Sequence, residues 1–422
     1  MTVETPRGPD TPRPLRVALF SGNYNYTADG ANMSLNRLVD HLQGKGVQVR
    51  VYSPTSPHPA FPPVGELVSV PSIALPRRSD YRLALGMPPT VRRDVRAFEP
   101  DLIHLSAPDL LGAAARRLAR SMGVPVVASV HTHFDSYLDY YALGWLRPWV
   151  RRRVHAFYRA CDYVLAPTAA IAEQLRIESV PARVRIWSRG VDTQRFSPAH
   201  RCQEWRRAQG LDPERPVIAF LGRIVMEKGL AVFVETIRRL ERTGAPMQVV
   251  VIGDGPARDW FAQRLPGAVF TGFLDGDALS TALASADILL NPSCTETLGN
   301  VNLEAMASGL ALVCADAPNT RALMRDGANA RLCPGAEPRA FCQAIEALIA
   351  DPAERARLGR EAREQSLAYR WGEIMDAVVD VYQEALAGRR AVGARHVLRG
   401  PWSRSKDPPQ VASHEAAETL AE

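Results

Sequence analysis

Short apolar runs alternate with amphipathic stretches through most of the chain. Leu15–Phe20 reads as a strand ending at Ser21-Gly22, and residues 31–43 then place Leu35, Leu38, Val39 and Leu42 on one helical face. Further strand candidates are Val47–Tyr52, Leu102–Leu105, Val124–Val130, Tyr163–Ala166 and Val184–Trp187, with helical stretches between most of them. Residues 191–209 interrupt the pattern: they are polar, contain Pro198 and have no clear period. The alternation then restarts with strands at Val217–Leu221, Gln248–Ile252, Val269–Thr271, Ile288–Leu290 and Leu310–Cys314. Strands that are apolar throughout and separated by helices predict parallel sheets covered on both faces. The fold class expected is α/β, with two facing doubly wound Rossmann-like domains and a ligand cleft between them.

The boundaries follow from the pattern. Residues 1–14 form a polar, proline-rich arm, 15–195 a first doubly wound domain and 196–371 a second. Residues 372–388 make a C-terminal helix, and 395–422 a disordered tail. A chain of 422 residues that is 46% hydrophobic can fill two cores. The net charge of +6 suits an anionic partner without choosing among nucleic acid, a lipid surface and phosphorylated substrates. The six cysteines include no C-x-x-C pair and have no zinc spacing, so they read as small buried hydrophobes of a reducing compartment. The N-terminus lacks a signal-like apolar stretch, and no apolar run is long enough to span a bilayer. The expected location is the cytoplasm, with any membrane contact peripheral, on the inner face of the plasma membrane.

Chemistry concentrates in residues 216–316. Gly222-Arg223 ends one strand and Lys228-Gly229 opens the following helix, so both cations fall at the carboxyl edge of the sheet. An arginine fork and a lysine point charge suit a diphosphate; a solvated basic loop is the alternative. Gly253-Asp254-Gly255-Pro256 is a tight strand-end turn whose glycines could admit a base. The segment 291–309 runs from a buried strand through a polar loop into a helix expected over 298–308 and stopped by Gly309. Backbone N–H groups at Thr297, Leu298 and Gly299 can hold phosphate oxygens. Glu296 precedes that helix, and Glu304 lies about two turns inside it. Glu304 sits in otherwise apolar surroundings, where a carboxylate is costly without a partner. Carboxylates accept hydrogen bonds from vicinal hydroxyls, so one can serve a sugar and the other a ribose.

With those residues in view, the chain resembles retaining glycosyltransferases of family four, which have the GT-B fold. The E-x7-E pair Glu296/Glu304 carries the resemblance, together with Gly222-Arg223, Lys228-Gly229, Val251–Pro256, Phe270-Thr271-Gly272, Ala286-Asp287 and Arg189–Asp192. The resemblance implies a hexosyl transfer from a UDP- or GDP-linked sugar, with residues 15–195 as the acceptor-side domain, 196–371 as the nucleotide-sugar-binding domain and the helix 372–388 crossing back to the first domain. Arg223 and Lys228 would bind the donor diphosphate, Glu304 the ribose and Glu296 the hydroxyls of the donor sugar. Backbone at Thr297–Gly299 would bind phosphate, and the turns at Gly253 and Phe273 would accommodate the base. It also implies His131, at the end of a strand, near the donor sugar, and Gly30 beside donor phosphate and acceptor. The family commonly has a second small glycine where this chain has Ala31. It also commonly has a Gly-Gly turn where this chain has Asp316–Ala322, so that turn must differ. No metal is expected, and no protein general base is assigned.

The acceptor is less determined. Residues 134–163 mix aromatic and basic side chains, including Tyr141, Trp145, Arg147, Arg151 and Arg152. They suit a helix on an anionic membrane, or a helix with an apolar core face and a solvated basic face. Within the family, Gly144–Pro148 and residues 269–299 resemble the branch containing sulfoquinovosyl-diacylglycerol synthases and lipid-directed α-mannosyltransferases. A lipid acceptor and an anionic membrane surface are the partners this implies. The alternatives are a GDP-mannose-dependent transferase with a soluble or polysaccharide acceptor, and a non-catalytic nucleotide-sugar-binding protein. No nucleic-acid-binding motif occurs, so no nucleic-acid partner is expected. The oligomeric state is left open.

Overall fold

The computed structural model describes residues 13–27, 30–75, 78–131, 144–178, 180, 182–294, 298–335 and 337–398. The strands are β1 (Arg16–Phe20), β2 (Gln48–Ser53), β3 (Glu66–Ser69), β4 (Ser72–Leu75), β5 (Arg78–Ala84), β6 (Leu102–Leu105), β7 (Val126–Ser129), β8 (Tyr163–Ala166), β9 (Arg183–Ile186), β10 (Val217–Leu221), β11 (Gln248–Ile252), β12 (Val269–Gly272), β13 (Ile288–Asn291), β14 (Ala311–Ala315) and β15 (Arg331–Cys333). The first sheet has the order β3-β2-β1-β6-β7-β8-β9 and the second β12-β11-β10-β13-β14-β15. All pairings within both are parallel. The α/β expectation of two doubly wound Rossmann-like sheets is met. In each, strand order reverses between the first strand and the fourth to join it, the place where such sheets bind ligands at their carboxyl ends.

Burial explains the pattern. Alternate residues of β1 face opposite layers: Val17 and Leu19 join one apolar cluster, Ala18 and Phe20 another. The second sheet is covered in the same way, with Ala219 on one face and Ile218 and Phe220 on the other. The last helix, Trp371–Leu398, places Met375, Val378, Val381 and Tyr382 in the cluster that holds Val17 and Leu19 of β1. It therefore packs on the first sheet. It runs to Leu398, into the stretch expected as tail; residues 399–422 and 1–12 lie outside the described residues.

The differences from the periodicity have local causes. β3 is a four-residue edge strand with exposed ends, β4 and β5 form a small antiparallel pair, and β15 has three residues. None presents an apolar run long enough to register. The interruption at 191–209 contains a six-residue helix, Gln203–Ala208, which a buried Arg206 ties down by bonds to Ser285 O, Pro213 O and Asp287. The helix expected to start at Leu298 starts at Asn300, because Gly299 has φ +85° and cannot continue helical geometry. The turn after β14 does differ from the Gly-Gly form. Pro318–Arg321 makes one helical turn, Thr320 Oγ1 accepts from Ala317 N at 2.9 Å and approaches Ala315 O at 2.6 Å, and Arg321 pairs with both oxygens of Asp316.

Candidate active site

At the carboxyl edge of the second sheet, the ends of β10, β11 and β12 are joined backbone to backbone. Gly222 N donates to Ile252 O, Gly253 N to Gly272 O and Ile224 N to Asp254 O, at 2.8–3.0 Å. A Cβ at Gly253 would sit 2.0 Å from Gly222 O, and its φ of +138° is itself poor for other residues. A Cβ at Gly255 would sit 2.4 Å from Ile224 O. These glycines therefore have a structural reason beyond any approach to a base: they let one loop lie on the other. That contact sets the loop bearing Arg223, which is exposed. Phe273, directly after β12, is 66% exposed, so a flat aromatic face stands open at the same edge.

Lys228 closes a one-turn helix, Met226–Lys228, and Gly229 follows with φ +75°. A Cβ there would meet Pro292 O at 2.9 Å, so this turn rests on the loop leading to Glu296. Glu296 and Thr297 lie outside the described residues. Leu298 is buried and anchors the far side of the loop, and Gly299 starts helix Asn300–Ala307 without a side-chain cap. An N-terminus without such a cap suits an anion.

Glu304 lies on that helix near two cations from elsewhere, Arg195 in the connection after β9 and Arg37 on helix Gly30–Gly44 of the first half. Desolvation raises its pKa from 4.5 to about 7, and Arg195 and Arg37 oppose the rise. The two halves also meet at Gly30: a Cβ there would come within 2.7 Å of Asn300 Nδ2. Gly30 opens one helix and Asn300 another, so two helix N-termini face each other across the cleft. Arg37, Arg195 and Asn300 were not singled out from sequence. Their relevance comes from packing between halves, which no local pattern encodes.

In the first half, His131 follows β7 and is buried. Its Nδ1 lies 2.8 Å from an Arg189 guanidinium nitrogen, and its Nε2 lies 2.8 Å from the Ser129 hydroxyl. Desolvation, and then the Arg189 charge, hold its pKa well below the ordinary value. In the loop after β6, Asp109 caps helix Leu110–Met122 by accepting from Gly112 N at 2.6 Å. Burial raises its pKa to about 6, and it leaves no room for a side chain at Gly22.

The chain is similar throughout to sugar-transferring enzymes. The Glycosyltransferase Family 4 profile matches residues 28–195, and that of Glycosyl transferases group 1 matches residues 215–351. A GDP-mannose-dependent alpha-mannosyltransferase of Mycolicibacterium smegmatis is 35% identical over 396 residues, covering 90% of this chain and 100% of the relative. The chain belongs to glycosyltransferase family 4. It is a hexosyltransferase that uses a nucleotide sugar. A sulfoquinovosyl transferase of Arabidopsis thaliana is 32% identical, covering 85% of this chain and 71% of that one. An alpha-monoglucosyldiacylglycerol synthase of Streptococcus pneumoniae is 25% identical, covering 80% and 79%. In fold, sucrose-phosphate synthase of Thermosynechococcus elongatus superposes with a TM-score of 0.71 at 19% identity, covering 89% of this chain and all of that one.

Leading into β8, helix Arg147–Arg159 buries Phe157 and Tyr158 and exposes Arg147, Arg151 and Arg152. Trp145 is 76% exposed and Trp149 57%, with Arg153 over the Trp149 ring. Tyr141 lies outside the described residues. A cavity of about 350 Å³ beyond the end of this helix is lined by Arg116, Arg117, Arg120, Arg389 and Asp162. It opens at the amino edge of the first sheet, on the side opposite the cleft. Among the described residues no helix is long and apolar enough to cross a membrane, and no group of three or more metal-ligating side chains occurs. Cys161, Cys314, Cys333 and Cys342 are buried, Cys202 is half-buried and Cys294 exposed.

Proposed function

We propose that this family 4 enzyme transfers a hexosyl group, with retention of configuration, from a UDP- or GDP-linked sugar to a hydroxyl of a membrane lipid. One observation carries the reading: the loops of the second sheet, the N-terminus of helix Asn300–Ala307 and Gly30 of the first half converge on one cleft. In this reading Arg223, Lys228 and that N-terminus hold the leaving diphosphate, where negative charge grows in the transition state. Glu304 takes the ribose, Glu296 the hydroxyls of the donor sugar, and Phe273 stacks on the base. The anomeric carbon–phosphate oxygen bond breaks as the acceptor oxygen bonds the same face. The acceptor's proton passes to the departing phosphate oxygen. Closure of the two halves excludes water and limits hydrolysis.

A lipid acceptor is supported by the name of the pneumococcal relative and by the surface of helix Arg147–Arg159. Exposed Trp145 and Trp149 among Arg147, Arg151 and Arg152 are the side chains of an interfacial helix on an anionic leaflet. Peripheral attachment at the cytoplasmic face follows from this reading. A second reading takes GDP-mannose as donor with a soluble or polysaccharide acceptor; the full-length similarity to the mannosyltransferase favours that donor.

The test is transfer of labelled hexose from UDP- and GDP-sugars to extracted lipids and to soluble glycans, with and without a chelator. Lipid-linked label from one donor supports the main reading. Label confined to soluble glycans supports the second. Turnover that survives in Glu296→Ala, Arg223→Ala and Lys228→Ala alike would sink the mechanism, and loss of turnover in chelator would show that the account of the diphosphate is incomplete.

A further inference from the structure

Five buried side chains form one hydrogen-bonded run beside the cleft. From Arg189 it passes to His131 Nδ1 at 2.8 Å, from His131 Nε2 to Ser129 Oγ at 2.8 Å, and from Ser129 Oγ to His104 Nε2 at 3.0 Å. It ends with His104 Nδ1 and the Tyr382 hydroxyl 2.6 Å apart. All five are buried. They come from distant places: Arg189 follows β9, His131 and Ser129 belong to β7 and its end, His104 lies in β6, and Tyr382 is on the last helix. Trp187 packs against three of them, with its ring under the Arg189 guanidinium at 5.5 Å and edge contacts to His131 at 5.2 Å and His104 at 5.8 Å.

The chemistry of one member fixes its neighbour. A guanidinium has only donors. His131 Nδ1 must therefore accept and carries no proton. A neutral imidazole then holds its proton on Nε2, which donates to Ser129 Oγ. An imidazolium would place a second N–H against the Arg189 donor and a second positive charge beside the first. We propose that Arg189 is a positioning residue of the transfer site: it locks His131 as the neutral Nε2–H tautomer, so that His131 shapes the cleft and transfers no proton. Ser129 fixes the ring from the other side. His104 and Tyr382 tie that serine to the C-terminal helix.

The consequence for catalysis rests on the sugar-transfer reading above; the tautomer does not. If the acceptor's proton goes to the departing phosphate, a histidine nearby with a vacant lone pair would compete for it. With Nδ1 bonded to Arg189 and Nε2 to Ser129, His131 has neither a lone pair nor a proton to offer. Arg189 thereby keeps the reaction on the donor's own oxygen.

The test uses the full chain, labelled with ¹⁵N at histidine and free of ligand, with the His131 signals assigned by His131→Gln. Long-range ¹H–¹⁵N spectra are expected to show His131 as the Nε2–H tautomer, unchanged between about pH 5.5 and 8. An Nδ1–H tautomer, or an imidazolium appearing in that range, would overturn the proposal. In Arg189→Met the second tautomer is expected to appear, and kcat to fall about tenfold or more while the donor KM stays within about twofold. Arg189→Lys keeps a donor, so it should retain the tautomer and recover part of kcat. Should Arg189→Met not fold, the wild-type spectrum and Arg189→Lys decide. Wild-type tautomer and kcat in Arg189→Met would contradict the lock. The expected tautomer without transfer from any UDP- or GDP-hexose would retain the lock and reject the sugar-transfer reading.

Discussion

The two halves share a topology and hold their functional groups in different ways. In the second half, backbone does most of the holding: Gly222, Gly253 and Gly255 let consecutive loops bond to each other, and Arg223 and Lys228 ride on them. In the first half, side chains do it: Arg189, His131, Ser129, His104 and Tyr382 come together from separate elements. A site held by backbone leaves short motifs in the sequence, since particular positions must be glycine. One held by side chains leaves isolated residues with no fixed spacing. The second half of this enzyme is of the first kind and the first half of the second.

The sharpest way to break that comparison is at Gly253. Gly253→Ala puts a Cβ against Gly222 O and imposes a poor φ, so it should cost roughly 3 kcal/mol or more, read as a fall in the denaturation midpoint. Gly46→Ala, also at positive φ but in open space, should cost only about 1 kcal/mol. Equal losses at the two sites would show that the loop contact does not matter. Arg206→Ala, which removes a buried partner of Asp287, should cost on the order of 2–3 kcal/mol, because Arg201 remains at 2.7 Å. It should leave the donor KM unchanged, since that pair supports the sheet rather than the cleft.

Glu304 separates function from stability. The folded protein keeps its proton up to about pH 7, whereas an ordinary glutamate loses it near 4.5. In that window the folded state binds more protons than the unfolded one, so its contribution to stability falls as pH rises. Glu304→Gln should remove that slope and stabilise the ligand-free protein at neutral pH by about 1 kcal/mol, discounted for partial exposure. The same change should weaken donor binding about tenfold, because the amide is a poorer acceptor for ribose hydroxyls. Thermal melts between pH 4.5 and 8 and donor titrations check the two arms. The smallest effect expected is at the surface. Trp145→Ala with Trp149→Ala should reduce pelleting with anionic vesicles severalfold at low salt and leave the melting temperature within about 1 °C.

The sequence made the parallel sheets legible because buried strands such as Val217–Leu221 and Leu102–Leu105 are apolar end to end. It hid β3 and β15, which are short and lie at sheet edges. It pointed to Arg223, Lys228, Glu304 and Phe273 through a family pattern; Arg223, Lys228 and Phe273 lie in loops at the carboxyl edge of the second sheet, and Glu304 lies inside helix Asn300–Ala307. It named Arg189 only as part of a motif. A buried arginine whose partner lies in another strand, as His131 does, shows its purpose only once the strands are assembled. Gly253 shows the converse, a motif glycine whose visible constraint is the neighbouring loop rather than a ligand.

The central claim is that Arg223 and Lys228 hold the departing diphosphate. Its most direct test is single-turnover transfer by Arg223→Ala/Lys228→Ala at saturating donor, alongside a melting curve of the same protein. The account predicts a rate lower by about 10²- to 10³-fold with an unchanged melting temperature. A rate within about threefold of wild type would contradict it.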